Sequence, residues 1–167
     1  MRYTTDIQNF KIRFAEKNDV SLILKFIKEL ADYEKLLDQV VATEDVLYKS
    51  LFIKKEAEVI IGEYEQEEIG FALFFQNFST FIGKSGLYLE DLYIKPEVRG
   101  EGLGKEMLSF LAKIAKDRNC ERLEWWCLDW NKSSIHFYKS IGAEPMENWT
   151  VYRLSGDDLN NLAKNSK

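Results

Sequence analysis

Apolar residues recur along the chain with two different periods. Val20, Ile23, Ile27, Leu30 and Ala31 keep the three-to-four spacing of one helix face, and Asn18 or Asp19 stands where its N-cap belongs. Thr43 followed by Glu44 and Asp45 predicts a second helix, with both acids at the positive end of its dipole. A third apolar face runs through Leu103, Met107, Leu108, Leu111, Ile114 and Ala115. A fourth helix is predicted over 133–141, with Gly142 suited to a left-handed C-terminal cap. Strands are predicted over 11–14, 58–64, 69–77, 87–94, 122–128 and 150–154, the second and third forming a hairpin around Gln66-Glu67-Glu68. Residues 1–9 read as a polar lead-in and 160–167 as a polar tail.

The order β-α-α-β-β-β-α-β-α-β suits an α+β domain with a mostly antiparallel sheet. One crossover, 87–128, should add a parallel pair. At 167 residues the chain is expected to form a single domain over 1–167, its core spanning about 10–156.

Composition narrows the function. The formal net charge of −5 argues against nucleic acid as the main partner, because phosphate binding needs a basic face. Cys120 and Cys127 lack metal-like spacing, so no metal is expected. Neither a signal-peptide pattern nor a membrane-length apolar run is seen, so no membrane partner is expected and a cytoplasmic location follows by elimination.

The most informative stretch is Arg99-Gly100-Glu101-Gly102-Leu103-Gly104-Lys105, between a predicted strand and an amphipathic helix. Glycines there permit a tight turn and leave N–H groups open, and with the helix N-terminus they form a site for a pyrophosphate. The alternative is a turn that merely starts a helix. The dinucleotide fingerprint fails because its third glycine comes one residue early, and the P-loop fails because Glu106 follows Gly104-Lys105.

Arg99-x-x-Gly102-x-Gly104 resembles the pyrophosphate signature of the GNAT family of N-acetyltransferases. Asn131-Lys132-Ser133-Ser134, continuing through Phe137, Tyr138 and Gly142, resembles that family's second half-motif. Within the family the similarity is to the diamine acetyltransferases. It is carried by Ile27 to Glu34, by Ile82-Gly83-Lys84, and by Leu87-Tyr88-Leu89-Glu90-Asp91-Leu92-Tyr93-Ile94, where two adjacent acids interrupt an apolar strand. The resemblance implies the GNAT acyltransferase fold, a mixed sheet with helices on both faces. It also implies acetyl-CoA as co-substrate, a primary amine acceptor (a small diamine, a polyamine or a thialysine-like amine) and a homodimer.

Residue roles follow from the same resemblance. Acetyl-CoA is expected against Leu92, Tyr93 and Ile94, against Arg99 through Lys105, and against Asn131, Lys132, Ser133, Ser134 and Tyr138. Glu90 contacts the acceptor amine and draws off its proton through water, since an ammonium must be deprotonated before it attacks a thioester. Tyr138 is the expected general acid for the departing thiolate; its alternative is an aromatic anchor for the helix. Tyr33, Glu34, Phe81, Asp91, Glu124, Trp125, Trp126 and Glu147 match acceptor-side positions. Because neighbours on a regular strand point to opposite faces, Glu90 and Asp91 are not expected to share a role easily. The lone histidine, His136, reads as a solvated helix residue, and Cys127 as a small hydrophobe rather than an acyl carrier.

The chain departs from the polyamine-acetylating pattern at Ser79-Thr80-Phe81, where an acid, a proline and a tryptophan would stand. This segment and Leu128-Asp129-Trp130-Asn131 look like the thialysine-acetylating branch. Two alternatives stay open: a GNAT enzyme acting on a protein or another amine, and a non-catalytic acyl-CoA-binding module.

Overall fold

A computed structural model describes residues 1–165. They form two compact units, one of Met1–Trp126 and one from Cys127 onward. The first holds a six-stranded sheet in the order β1-β2-β3-β4-β5-β6. Its strands are β1 Arg2–Thr4, β2 Phe10–Phe14, β3 Glu58–Tyr64, β4 Glu67–Ser79, β5 Lys84–Ile94 and β6 Leu123–Trp125. All neighbours pair antiparallel except β5 and β6, which pair in parallel as the crossover requires. Helices α1 Val20–Tyr33, α2 Glu44–Tyr48 and α3 Leu103–Asp117 complete this unit.

Helices pack on both faces of the sheet. Phe26 of α1 stacks on Phe71 and lies against Tyr93, both at 5.8 Å between ring centroids. Phe74, an odd number of residues from Phe71 on the same strand, faces the other way, toward Phe14 and through it Phe110 of α3. All six apolar positions read for α3 are buried. The buried face of α1 also includes Phe26, which the predicted stripe omits.

Several expectations are corrected. The lead-in contains β1, held because Tyr3 packs 4.9 Å from Phe110 and Arg2 pairs with Glu63. Asp19 does not cap α1 with its side chain; its carboxylate accepts from the Glu16 N–H and from Arg13. Thr43 does cap α2, accepting from Val46, and the chain continues into a π-helical turn, Lys49–Ile53. The hairpin turn is only Glu65-Gln66, both at positive φ, so Glu67 and Glu68 belong to β4.

Strand β6 is three residues rather than seven, because only Leu87–Leu89 of β5 pair with it. In the second unit, α4 spans Lys132–Ser140, and Gly142 has the expected positive φ of 89°. Residues 150–154 form no strand; no partner strand pairs with them among the described residues. The expected polar tail is mostly helical, as α5 Gly156–Lys164; its last two residues, Ser166 and Lys167, lie outside the described residues. No helix among the described residues is long and apolar enough to cross a membrane.

Candidate active site

Strand β5 carries two irregularities, and the candidate site is built from them. The first is its end. A 3-10 turn, Pro96–Val98, leads into Arg99, after which Gly100 and Gly102 adopt φ of 91° and 82°. Those angles are costly for any residue with a Cβ, so the two glycines are what lets the chain turn directly into α3. Gly104 is different. It is helical, and a Cβ there would meet only Ile94 Cγ1, at the ordinary distance of 3.9 Å. Packing within the chain therefore does not demand glycine at 104, and the bare backbone leaves room for a ligand. No side chain caps the start of α3, so its first N–H groups remain available. Leu103, Tyr93 and Ile94 are buried and offer a ligand their backbone only, whereas Glu101 and Lys105 are exposed.

Beyond Leu89 no strand among the described residues pairs with the β6-side edge of β5, so the backbone of Leu92–Ile94 lies next to the turn with that edge unpaired. An anion at a helix N-terminus and an extended amide chain along a free strand edge are what a pyrophosphate and a pantetheine arm present. The residues thus fit acetyl-CoA as the substrate of this end of the strand.

The second irregularity is a β-bulge. Leu73 pairs with Asp91 but Phe74 pairs with Leu89, so Glu90 is the extra residue. The bulge interrupts the regular alternation on which the expected separation of Glu90 and Asp91 depends. Asp91, opposite Leu73, lies on the face that α1 covers, in phase with Tyr93. Glu90 is exposed and Asp91 half-buried. Burial first, then the charges of Glu90 and Glu34, pushes Asp91 up to about 6. Glu34, at the C-terminal cap of α1, is also raised by burial. None of the ion pairs among the described residues involves Glu34, Glu90 or Asp91. They make a negative site without a cation, suited to one or two ammonium groups.

The other acceptor-side residues divide. Tyr33, partly exposed, ends α1 immediately before Glu34. Glu124 is already engaged: it accepts from Asn77 Nδ2 at 2.9 Å, and Arg122 Nε lies 2.9 Å away. Trp125 is half-buried opposite Leu89, and Trp126 is exposed, its ring edge-on to Tyr88 at 5.9 Å. Phe81 is 94% exposed at the tip of the β4–β5 hairpin. From Lys84, three residues beyond it, to Glu90 is already about 20 Å along the strand.

In the second unit Asn131 caps α4, its Oδ1 accepting from the Ser134 N–H. Lys132 and Ser133 are exposed, Ser134 and Tyr138 half-buried, and Glu147 exposed. Phe137 lies 5.4 Å from the Tyr138 ring, and no residue of α4 is buried. His136 is exposed, Cys127 half-buried. No cluster of three or more metal-ligating side chains occurs among the described residues.

The shared setting of Glu34 and Asp91 is announced by no local pattern; the family resemblance alone put both on the acceptor side. One feature escaped the sequence, the side chain of Arg99: its Nε donates to Ile94 O at 2.8 Å. It borders a cleft of about 680 Å³ that also includes Tyr33, Tyr93, Glu29 and Glu97. Tyr93 is pushed up to about 12, by burial first and then by Glu29.

Comparison with known proteins identifies the family. The family model described as the acetyltransferase (GNAT) family matches residues 25–143. A thialysine N-epsilon-acetyltransferase of Bos taurus is 37% identical, over 91% of this chain and 96% of its own. An L-ornithine N5-acetyltransferase of Arabidopsis thaliana is 29% identical, over 92% and 88% of the two chains. Among solved structures, an integron cassette protein from the mobile metagenome of V. cholerae superposes with a TM-score of 0.79 at 29% identity, covering 95% of this chain and 99% of its own.

Proposed function

The chain belongs to the acetyltransferase (GNAT) family, and from that premise we propose that it transfers acetyl from acetyl-CoA to a primary amine of a small diamine, polyamine or thialysine-like acceptor, by direct attack in a ternary complex. The observation that carries the choice of acceptor is the cation-free group of Glu34, Glu90 and Asp91. An ammonium entering there meets Glu34, raised by burial, and Asp91, raised by burial and by the charges of Glu90 and Glu34, so its binding relieves a cost already present in the fold.

In this reading the glycine turn and the first N–H groups of α3 hold the pyrophosphate, while the edge of Leu92–Ile94 aligns the pantetheine arm. Glu90, exposed on the bulge, accepts the ammonium proton through water. The neutral amine then attacks the thioester carbon, a C–N bond forms, the C–S bond breaks, the thiolate takes a proton from Tyr138, and the proton that the attacking nitrogen sheds as it becomes the amide passes through water to the Tyr138 phenolate. The role of Tyr138 rests on the sequence pattern from Asn131 to Gly142. Phe81, a strand's length from Glu90 of its own chain, serves an acceptor only from a second copy, which supports reading the enzyme as a homodimer.

The test is initial-rate kinetics with acetyl-CoA and a panel of putrescine, spermidine, thialysine and ornithine. The proposal expects N-acetylated product from at least one of them, with intersecting double-reciprocal lines. Tyr138→Phe should lower kcat about 10²–10⁴-fold with little change in CoA affinity. CoA binding without acetylation of any amine would leave only a binding module.

A further inference from the structure

Arg99 opens the glycine motif, yet its side chain serves a different surface. Besides the bond to Ile94 O, its guanidinium carbon lies 4.6 Å from the centroid of the Tyr33 ring and 5.7 Å from that of Tyr93. None of the ion pairs among the described residues involves it. One planar cation therefore joins the end of β5, the first residue of the turn and the last residue of α1. A guanidinium is suited to this, because it stacks on a ring while its edge donates in plane. The residue after Tyr33 is Glu34, whose charge acts on Asp91.

We propose that Arg99 is a positioning residue for the acceptor side: by clamping Tyr33 to the end of β5 it sets where Glu34 stands relative to the bulge, and it does not hold the pyrophosphate with its side chain. This rests on the reading of Glu34, Glu90 and Asp91 as the amine site. It also accounts for a cation beside a site meant for cations. With its charge turned onto two aromatic faces, Arg99 neither neutralises the acids nor lies among them.

The experiment separates CoA affinity from acceptor KM in Arg99→Gln, with a melting curve for each variant. The amide of Gln keeps a donor for Ile94 O but loses the stacking cation. Calorimetry should show CoA affinity unchanged, while acceptor KM rises roughly two- to fivefold, the size of a partly exposed cation–π contact, and kcat holds. The effect should persist in a Tyr33→Phe background, which keeps the ring, and vanish in a Tyr33→Leu background. Loss of CoA affinity with acceptor KM intact would make Arg99 a phosphate contact and overturn the proposal. An equal KM effect in the Tyr33→Leu background would do the same. A readout independent of turnover is the NMR shift of the Arg99 Nε–H, displaced by the Tyr33 ring in the parent and returning in Tyr33→Leu; an Nε–H shift indifferent to Tyr33 refutes the clamp. A parent protein that acetylates no amine, with that shift present, would refute the function and leave the clamp standing.

Discussion

Two groups of carboxylates border the same sheet and are treated in opposite ways. At one end of the sheet, Asp19 and Glu63 flank Arg13: its guanidinium reaches Asp19 at 2.6 and 2.9 Å and Glu63 at 2.6 Å, all three side chains being 12–15% exposed. Burial raises both acids, but the guanidinium bonds outweigh it and hold them below the ordinary carboxylate range. Around β5, Asp91 has burial and the charges of Glu90 and Glu34, Glu34 has burial, none of the ion pairs among the described residues offsets them, and both are raised. Burial acts alike in both places, so the partner decides the sign. In the proposed function, the acids whose partner is built into the chain are scaffold, and Glu34, Glu90 and Asp91 await a cation that arrives from outside.

The largest expected effect breaks the two groups apart by function. Glu90→Gln should lower kcat/KM for the amine about 10²–10⁴-fold, as loss of a general base does, with the melting point nearly unchanged. Glu63→Gln should do the reverse, costing about 1–3 kcal/mol of stability while kcat stays at the parent value. Steady-state kinetics and thermal melts of both proteins read the contrast; a kinetic defect in Glu63→Gln would merge the two groups.

The smallest effect is in pH. Asp19 and Glu63, lowered on folding, contribute stability that is present above the unfolded carboxylate range and is lost as pH falls through their lowered folded values. Asp91 has the opposite sign. Its folded value of about 6 lies above the ordinary 3.8, so the folded state holds its proton longer. Stability falls as pH rises through that interval, then levels off. Asp91→Asn should therefore melt slightly above the parent at pH 7 and at the same temperature below pH 3.8. An equal difference at both pH values would mean that packing, not ionisation, separates the two proteins.

The sequence announced these features unequally, for reasons of range. The glycine turn and the face of α3 were legible because both are local: positive φ at Gly100 and Gly102, and a buried stripe at helical spacing. The Asn131 cap is equally local, closed by its own Ser134, but a helix taken to begin at Ser133 leaves it unnamed. The bulge was not legible. Strand alternation assumes equal counts on both strands, and only the register of β4 against β5 shows that Glu90 is the extra residue. Asp19 holds the N-cap position of α1, as its spacing predicts, but its carboxylate is taken by Arg13, which lies on β2 and out of reach of a local pattern. Residues 150–154 have a strand's composition without a partner strand among the described residues, and strand propensity expresses itself mainly through pairing.

The claim that the bulge acids await an ammonium reduces to the ionisation of one carboxyl. The measurement is a ¹³C NMR titration of the Asp91 carboxyl carbon, assigned against Asp91→Asn, with and without a saturating diamine. The free protein should titrate near about 6, and the diamine should draw that midpoint down toward or below the ordinary carboxylate value, because the arriving cation supplies the missing partner. A midpoint near 6 that the diamine leaves in place would contradict the assignment of these acids to the acceptor.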